Sequence, residues 1–591
     1  MIDFSINGVK VRAEEGTTIL AAAKSAGVKI PTLCYNPDLP AWASCGICVV
    51  RVAGSPKLLR SCCTTVDASY AGKNVITHDE EIVSTRRTLL ELILSDHPND
   101  CLKCSRNGNC ELQTLSGEFG IRDVPYKNIV RDLPIDDSNV AITLDPNKCI
   151  RCGRCVKVCQ DVQNVWALEF IGRGIKGKIA AAADVSLAEG PCIKCGQCTA
   201  HCPVGALYER DDTAPVWAAL HNPEIHTVVQ IAPAVRVAIG EEFGLEPGAL
   251  LTGKLYAALR RLGFDTVFDT NFGADLTVIE EGNELVKRLK TGEGAIPLIT
   301  SCCPSWVDYL EKYYPDMIPN FSTAKSPMQE LGAMVKTYWA GKAGIAPEKI
   351  YQVAVMPCTA KKWETGRNDD MKSASRHLGK DVGYDVDMAI TVREIARMIR
   401  LAGIDIVNLP DEESDSPLGP YSGAGTIFGV SGGVMEASVR TAHSLMTGRE
   451  LPDVEFSPAR GLDGVKEAEL DLAGTKVRIA VAHQMGNIAA VLDKIRESRK
   501  AGKEPPYHFI EVMACRGGCI SGGGQPYGAV DEIRKKRGEG LYGDDRKSKY
   551  RSAHENPLIT ELYREFLGEP NGHKAHELLH TSYVERGLYE K

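Results

Sequence analysis

Two short cysteine runs constrain this chain more than any other feature of its sequence. The segments "CIRCGRCVKVCQD", which begins at Cys149, and "CIKCGQCTAHCPVG", which begins at Cys192, form an internal repeat. Each has the spacing C-x2-C-x2-C-x3-C. Thiols placed this densely along a chain indicate metal ligands rather than an ordinary apolar core.

The chain has 21 cysteines, and their redox state depends on the compartment. The start, "MIDFSINGVKVRAEEG", is polar and lacks the apolar region of a signal peptide. No stretch of about 18 apolar residues is present to span a membrane. We therefore expect a cytoplasmic protein whose cysteines are reduced rather than paired in disulfides.

The charge balance argues against nucleic acid as the main partner. Acidic residues number 77 and basic residues 69, which gives a net charge of −8, whereas nucleic-acid-binding proteins usually carry a basic patch or a basic excess. One basic stretch, residues 534–551, mixes basic and acidic side chains, so we interpret it as a solvated surface.

The sequence pattern divides the 591 residues into several domains. Residues 1–78 alternate like strands, with a hairpin turn at "NG" and a short helix after it, and residues 79–118 are predicted to be helical. Residues 139–209 hold the cysteine repeat. From 210 to 591 strands alternate with helices, which predicts a largely parallel sheet. The expected fold class is multidomain, with α+β cluster units followed by a large two-lobed α/β domain.

The repeat resembles two-cluster bacterial ferredoxins, in which the fourth cysteine of each run binds the other cluster. This pattern implies two [4Fe–4S] clusters with exchanged ligands. The ligands expected for the first cluster are Cys149, Cys152, Cys155 and Cys202. Those expected for the second cluster are Cys192, Cys195, Cys198 and Cys159.

A third group of cysteines lies near the N-terminus. Cys34, Cys45, Cys48 and Cys62 have the spacing C-x10-C-x2-C-x13-C. The order resembles plant-type [2Fe–2S] ferredoxins, although their first gap is shorter, and it implies a β-grasp unit with a [2Fe–2S] cluster. Cys63 competes with its neighbour as the fourth ligand, and the resemblance favours Cys62.

The segment "HPNDCLKCSRNGNC" offers one imidazole and three thiolates, from His97, Cys101, Cys104 and Cys110. Structural zinc sites also use three cysteines and one histidine, so zinc remains an alternative. Among so many iron–sulfur patterns, a third [4Fe–4S] cluster is favoured. A neutral imidazole in place of a thiolate removes negative charge and should raise the reduction potential of the cluster.

A row of clusters is a path for electrons and implies a redox centre at its end. Three remaining cysteine segments are separated along the chain: "TSCCPSW" (300–306), "MPCTAKKWE" (356–364) and "EVMACRGGCISGGGQP" (511–526). These segments closely resemble the three signature motifs of [FeFe]-hydrogenases. The first 210 residues are also similar to the large electron-transfer subunit of respiratory NADH dehydrogenase, which lacks these motifs. The three motifs therefore decide the function.

The resemblance implies an H-cluster, which is a [4Fe–4S] cubane joined to a diiron site carrying CO, cyanide and an azadithiolate. The cubane ligands it implies are Cys303, Cys358, Cys515 and Cys519, and Cys519 would also bridge to the diiron site. These assignments use every cysteine of the chain except Cys63 and Cys302.

Further pocket residues follow from the same resemblance. Lys361 matches the family's hydrogen-bond donor to cyanide, while Met356 and Met513 would pack beside the diiron unit as soft, apolar neighbours. The stretch "IAPAVR" supplies Pro233 and Ala234, with Ala234 where some members carry Ser. The stretch "KSPMQE" has Met328 where Gln is common.

Hydrogen formation also needs protons. Glu281, Glu284 and Arg288 are spaced to share one helix face, which by itself is more typical of a solvated face with a Glu284–Arg288 ion pair. The resemblance instead implies that these three residues and Ser322 form a proton path ending at Cys302. Buried carboxyl groups with raised pKa values would suit this relay. Glu364, in the second motif, is a weaker candidate.

The resemblance implies an enzyme that catalyses 2H⁺ + 2e⁻ ⇌ H₂. The pattern is especially similar to subunits of multimeric NAD(P)-linked hydrogenases, some of which bifurcate electrons between NAD and ferredoxin. The implied partners are ferredoxin, a flavin- and NAD(P)-binding subunit and a small [2Fe–2S] subunit. The segment "GAGTIFG" (423–429) is one residue too long for a dinucleotide loop, so we expect no nicotinamide site in this chain. Two alternatives stay open: a self-sufficient ferredoxin-dependent hydrogenase, and a non-catalytic electron-transfer or assembly protein.

Overall fold

The computed structural model describes residues 1–127, 131–451, 454–472 and 474–589. The N-terminal part is a five-stranded mixed sheet with one helix, α1 (Ile19–Ser25). Its strands are β1 (Ile2–Ile6), β2 (Val9–Ala13), β3 (Val49–Val52), β4 (Leu58–Arg60) and β5 (Asn74–Ile76). The strand order is β2-β1-β5-β3-β4, with β1 and β5 parallel.

The predicted hairpin at Asn7 and Gly8 is confirmed. β1 and β2 pair antiparallel, and both turn residues have positive φ, 50° and 81°. Asn-Gly adopts this left-handed pair of conformations with little strain, and the resulting twist matches that of the two strands.

The next part of the chain is built from short elements around the cysteine runs. The helices are α2 (Glu80–Ser95), α3 (Glu111–Glu118), α4 (Arg154–Lys157) and α5 (Gln197–His201). The strands form two antiparallel pairs, β6 (Ile142–Leu144) with β9 (Leu207–Glu209), and β7 (Leu168–Ile171) with β8 (Lys178–Ala181).

The C-terminal part contains two four-stranded sheets. The first has the order β11-β10-β13-β14 and is entirely parallel, with β10 (His226–Ile231), β11 (Thr266–Asp269), β13 (Ile350–Met356) and β14 (Met388–Thr391). The second has the order β12-β17-β16-β15, with β12 (Leu298–Ile299), β15 (Val465–Leu472), β16 (Thr475–His483) and β17 (Phe509–Met513). Only the β15–β16 hairpin is antiparallel within these two sheets of described residues. The expected strand–helix alternation and largely parallel pairing are confirmed.

Helices pack around the two sheets and bury most of their faces. The helices before β14 are α6 (Thr213–Leu220), α7 (Thr252–Leu262), α8 (Thr270–Thr291), α9 (Pro304–Tyr313), α10 (Pro327–Met334), α11 (Ala340–Ala343), α12 (Lys361–Glu364) and α13 (Ser373–Leu378). Those after it are α14 (Val392–Leu401), α15 (Gly423–Ile427), α16 (Gly433–Thr447), α17 (Met485–Lys500), α18 (Asp531–Lys547), α19 (Pro557–Leu562) and α20 (His573–Leu579).

The interpretation of residues 534–551 as a solvated surface is wrong for two of their arginines. Arg534 and Arg537 lie on α18 and are buried, with 3% and 0% of their surface exposed. Arg534 pairs with Asp38 of the N-terminal part, and Arg537 pairs with Glu241 through two hydrogen bonds of 2.6 and 2.7 Å. A charge-rich segment can be buried where each cation meets a carboxylate, and sequence alone does not reveal those distant partners.

Among the described residues, no helix is both long enough and apolar enough to cross a membrane.

Candidate functional site

The three cysteine motifs of the C-terminal part meet at one cavity. Cys302 and Cys303 follow β12, Cys358 follows β13, and Cys515 and Cys519 follow β17. All five line a cavity with a volume of about 80 Å³. Carboxyl ends of parallel strands lie at one edge of a sheet, so loops from two facing sheets can converge there.

Glycines let the third motif fold tightly against its neighbours. Gly518 has φ of +96°, and a Cβ there would lie 2.6 Å from the backbone nitrogen of Ser431. A Cβ on Gly522 would lie 2.2 Å from the carbonyl oxygen of Pro357, next to Cys358. Larger residues would force the loops apart, so these glycines give the cavity its shape.

The walls of the cavity are mostly apolar. Met356, Met513, Met328, Pro233 and Phe428 contribute to them. A large apolar surface around several thiols suits a compact cofactor that must be shielded from water.

Lys361 is the charged side chain among the described residues that line the cavity. Its Nζ lies 2.6 Å from Oε2 of Glu364 and donates to the backbone oxygen of Cys302 at 3.4 Å. Burial acts to lower the pKa of Lys361, but attraction to the Glu364 carboxylate outweighs it and raises the pKa. Lys361 therefore stays a cation and can offer a hydrogen-bond donor to a ligand in the cavity.

Ala234 differs from the other predicted pocket residues. It is buried, but it is not among the residues that line the cavity. It sits against Gly429, and its carbonyl oxygen accepts from the side-chain amide of Gln525 at 3.0 Å. Its neighbour Pro233 does line the cavity.

The predicted proton path is largely buried. Glu281 is 1% exposed and Arg288 is 8% exposed, so this face of α8 is not the solvated face that its spacing alone allowed. The Glu284–Arg288 ion pair is present at 2.5 Å. The hydroxyl of Ser322 donates to the other carboxylate oxygen of Glu284 at 2.9 Å.

Glu281 lies between this network and Cys302. Neither of its carboxylate oxygens has a partner in hydrogen-bonding geometry. Burial, followed by repulsion from Glu284, raises its pKa to about 8, and the nearby Ser322 lowers it too little to offset this. Burial also raises the pKa of the Cys302 thiol, and the Glu281 carboxyl raises it further. A carboxyl group that titrates near neutral pH beside a thiol can pass a proton in either direction.

The ferredoxin-like cysteines lie in two groups. A second cavity, of about 20 Å³, is lined by Cys159, Cys192, Cys195 and Cys198, which is the exchanged ligand set. In the other set, burial raises the pKa of the Cys155 thiol, and the sulfurs of Cys149, Cys152 and Cys202 raise it further because they lie close by.

The N-terminal cysteines also cluster. In two close pairs, Cys34 with Cys45 and Cys48 with Cys62, hydrogen bonding between the thiols lowers the pKa of the first member and raises the pKa of the second. Cys63 is exposed, and its thiol donates to the backbone oxygen of Arg60 at 3.6 Å. The arrangement favours Cys62 over Cys63 as the fourth member of the set.

The histidine-containing set lies at the end of α2. His97 is 9% exposed, and burial lowers its pKa, which favours the neutral imidazole that metals bind. Cys101 and Cys104 lie at the two ends of a short turn, and Cys110 directly precedes α3. Within the described ranges, no three His, Cys, Asp or Glu side chains converge as they would around one single metal ion.

Sequence reasoning missed two contributors to the site. Gln197, inside the second cysteine run, donates from its side-chain amide to Sγ of Cys515 and to the backbone oxygen of Ser521, both at 3.1 Å. The segment 423–429, whose spacing does not fit a dinucleotide loop, ends in Phe428 and Gly429 of the cavity wall. The three glycines of this segment were the sequence feature that could have indicated close packing there.

Comparisons with known families cover nearly every part of the chain. Residues 225–523 match the iron only hydrogenase large subunit, C-terminal domain, and residues 531–586 match the iron hydrogenase small subunit. Residues 1–72 match a 2Fe-2S iron-sulfur cluster binding domain, and residues 148–206 match a 4Fe-4S dicluster domain. Residues 86–125 match the iron-sulfur binding region of NADH-ubiquinone oxidoreductase-G. Residues 531–586, near the C-terminus, thus match a family that is described as a separate subunit.

Individual relatives agree with these matches. The chain is 46% identical to the NADP-reducing hydrogenase subunit HndD of Solidesulfovibrio fructosivorans, over 99% of both chains. It is 39% identical to iron hydrogenase 1 of Clostridium pasteurianum, over 98% of this chain and 99% of that one. The solved apo [FeFe]-hydrogenase HydA1 of Chlamydomonas reinhardtii, variant C377H, is 43% identical. It covers 64% of this chain and 100% of its own, with a TM-score of 0.56.

Proposed function

The chain belongs to the iron-only, or [FeFe], hydrogenase family and is an enzyme acting on hydrogen, and we propose that its cavity is the active site for 2H⁺ + 2e⁻ ⇌ H₂. The observation that carries this proposal is the convergence of four thiols from three distant loops on one apolar cavity, with a fifth thiol beside a buried carboxyl group.

The residues around the cavity fit the H-cluster. Four cysteines would hold its cubane: Cys303, Cys358, Cys515 and Cys519. The glycines of the third motif leave room where any Cβ would collide with backbone, and the apolar walls exclude water. When bound, the H-cluster would supply the metal centre at which protons and electrons combine.

The protein's own residues would orient the group and handle protons. Lys361 would donate a hydrogen bond to an anionic ligand, and Met356 and Met513 would pack against it. Cys302 would give and accept a proton on the open side of the cavity, and Glu281 would exchange that proton because its pKa lies near neutrality.

From Glu281 the path would continue through Ser322 to Glu284, which the structure leaves half-buried near the surface. Arg288 would hold the Glu284 carboxylate in place through their ion pair and through its own hydrogen bond to the backbone oxygen of Ala295 at 2.6 Å.

The accessory clusters would deliver electrons. We assign the [2Fe–2S] cluster to Cys34, Cys45, Cys48 and Cys62. We assign one [4Fe–4S] cluster to His97, Cys101, Cys104 and Cys110, in preference to zinc. We assign the ferredoxin-like pair to the exchanged sets predicted from their spacing. The set that contains Cys195 lies directly against the active-site loops. Gly523 of the third motif packs so closely on it that an added Cβ would lie 2.5 Å from the carbonyl oxygen of Cys195.

The catalytic subunit would work within a larger NAD(P)-linked complex. Support comes from the relative named as a subunit of an NADP-reducing hydrogenase, which aligns over its whole length, and from the match to an NADH-ubiquinone oxidoreductase subunit region. The partners we propose are a flavin- and NAD(P)-binding subunit, a small [2Fe–2S] subunit and ferredoxin. A reducing cytoplasm would keep the many thiols free to bind metal.

Infrared spectroscopy of the matured protein tests the active-site assignment. Bands from CO and cyanide bound to iron are expected, and protein produced without maturation serves as the control that should lack them. A spectrum without such bands after maturation rejects the proposal. Hydrogen production with reduced ferredoxin alone, compared with NAD(P)H plus the partner subunits, separates a self-sufficient enzyme from a complex.

A further inference from the structure

One buried side chain, Arg154, joins three separate segments of the chain. Its guanidinium donates two hydrogen bonds to the Glu111 carboxylate, at 2.6 and 2.7 Å. It also donates to the backbone oxygen of Tyr35 at 2.8 Å and to that of His201 at 3.5 Å. Arg154 is only 4% exposed, and these hydrogen bonds replace those that its guanidinium would make to water.

Each of these segments carries a cysteine of a different ligand set. Tyr35 directly follows Cys34, Glu111 directly follows Cys110, and His201 directly precedes Cys202. Arg154 itself directly precedes Cys155, which shares a set with Cys202. A single planar cation therefore contacts the loops that carry the [2Fe–2S] ligands, the histidine-containing ligands and the first ferredoxin-like ligands.

We propose that Arg154 is a positioning residue at the junction where two electron paths join the ferredoxin-like relay. It fixes the separation of three iron–sulfur units, and its charge raises the reduction potential of the cluster held by Cys149, Cys152, Cys155 and Cys202. This inference rests on the proposed cluster assignments.

Arginine has the geometry that this role needs. Its rigid fork holds a carboxylate at two points while a remaining N–H reaches a backbone oxygen, which the single ammonium of lysine does not reproduce. Electron tunnelling falls steeply with distance, so a small shift between the loops changes the transfer rate. Arg154 is adjacent in sequence to Cys155 and bonds to the backbone next to Cys202, so its charge lies near two proposed ligands of this cluster.

Two variants separate position from charge. Arg154→Gln removes both the charge and the fork, whereas Arg154→Lys keeps the charge and loses the fork. Glu111→Gln removes the anion opposite an intact Arg154. Arg87→Gln is the control, because Arg87 also bonds to a carboxylate, that of Glu91, and to a backbone oxygen, that of Phe119, but neither partner is adjacent in sequence to a proposed cluster ligand.

The matured full-length proteins are compared by iron content, by redox-titrated electron paramagnetic resonance and by magnetic coupling between reduced clusters. In Arg154→Gln the potential of the first ferredoxin-like cluster should fall and its coupling to the neighbouring clusters should weaken. In Arg154→Lys the potential should recover while the coupling stays weak. In Glu111→Gln the potential should rise, and Arg87→Gln should match the wild type.

Unchanged potentials and coupling in Arg154→Gln, with iron retained, would overturn the inference. Loss of iron in both Arg154 variants, with no potential change in Glu111→Gln, would also overturn it, because Arg154 would then only retain the clusters. Absence of the cluster signals from the wild type would instead contradict the proposed cluster assignments.

Discussion

The side-chain amide of Gln197 donates to Sγ of Cys515 across 3.1 Å. Gln197 belongs to the last ferredoxin-like cysteine run, and Cys515 belongs to the third motif at the catalytic cavity. This contact is therefore a direct link between the end of the proposed electron path and a proposed ligand of the H-cluster cubane.

Replacing Gln197 with Met should lower the reduction potential of the cubane and slow hydrogen evolution several-fold. An N–H donor to a ligating sulfur stabilises the more negative, reduced cluster, and Met keeps the volume but removes the donor. Redox titration with spectroscopic detection measures the shift. Gln163→Met is the matched control, since Gln163 bonds to the backbone at Ala514 and Met485 but to no sulfur. Equal potentials in wild type and Gln197→Met would contradict the prediction.

Replacing Cys302 with Ala should reduce turnover by roughly 10²- to 10⁴-fold, the contribution of a positioned proton donor. Iron content should stay at the wild-type level, because Cys302 is not a proposed ligand. Hydrogen evolution and iron analysis on the same samples check both statements. Cys63→Ala, at the other unassigned cysteine, should change neither quantity. Normal turnover in the Cys302 variant would remove this thiol from the relay.

The Glu281 carboxyl should make stability depend on pH. Its folded-state pKa is about 8, compared with 4.5 for an ordinary glutamate, because burial disfavours the ionised form. Below pH 4.5 Glu281 is protonated in both the folded and the unfolded protein, so its burial costs no ionisation free energy. Between pH 4.5 and 8 the unfolded state ionises first, so stability falls as pH rises, by an amount on the order of a few kcal/mol, and then levels off.

Thermal unfolding of wild type and Glu281→Gln from pH 5 to pH 8.5 measures this effect. The melting temperature of Glu281→Gln should rise relative to that of the wild type as the pH increases from 5 to 8. Glu293→Gln, in the exposed loop after α8, should follow the wild-type curve. If the melting temperatures of wild type and Glu281→Gln differed by the same amount at every pH, Glu281 would have an ordinary pKa and the prediction would be wrong.

The N-terminal part is held on α18 by the ion pair between Asp38 and Arg534, whose Nη1 donates to Oδ1 at 3.0 Å. Asp38→Asn should destabilise this docking by about 1–3 kcal/mol, because the buried Arg534 loses one of its two carboxylate partners and keeps only Asp531 and the backbone oxygen of Ala529. Burial acts to raise the pKa of Asp38, but His201 and Arg534 outweigh it and lower the pKa. The contribution should therefore be present above about pH 4 and should be lost as pH falls further.

Hydrogen exchange of residues 1–78 measures this docking, with faster exchange at the face towards α18 expected in Asp38→Asn. Asp3→Asn serves as the control because its pairing with Arg12 is largely exposed to solvent. Faster exchange in the control, or none in Asp38→Asn, would contradict the assignment of Asp38 as the docking residue.

Much of the secondary structure and of the grouping of cysteines could be predicted from local sequence patterns. The Asn7-Gly8 turn, the helix that holds Glu281 and the two ferredoxin-like cysteine runs each depend on residues close together along the chain. Backbone geometry over a few residues follows from sequence because few conformations are allowed and each residue type favours some of them. The repeat likewise predicts the exchanged set Cys159, Cys192, Cys195 and Cys198, whose members line one cavity.

Contacts between distant segments were not predictable in this way. Gln197 lies more than 300 positions from Cys515, and nothing in the spacing of either residue indicates that they meet. The burial of Arg534 and Arg537 likewise depends on carboxylates supplied by remote parts of the chain.

The sequence by itself determined which residues could bind metal, which segments were strands or helices, and, through the three motifs, which enzyme family the chain resembles. The family resemblance implied that Cys303, Cys358, Cys515 and Cys519 act together, but only the tertiary structure places them around one cavity and buries Glu281 beside Cys302 instead of leaving it solvated. The reason is physical: spacing along a chain fixes neighbours within a few residues, whereas burial and convergence depend on how the two sheets and their helices pack.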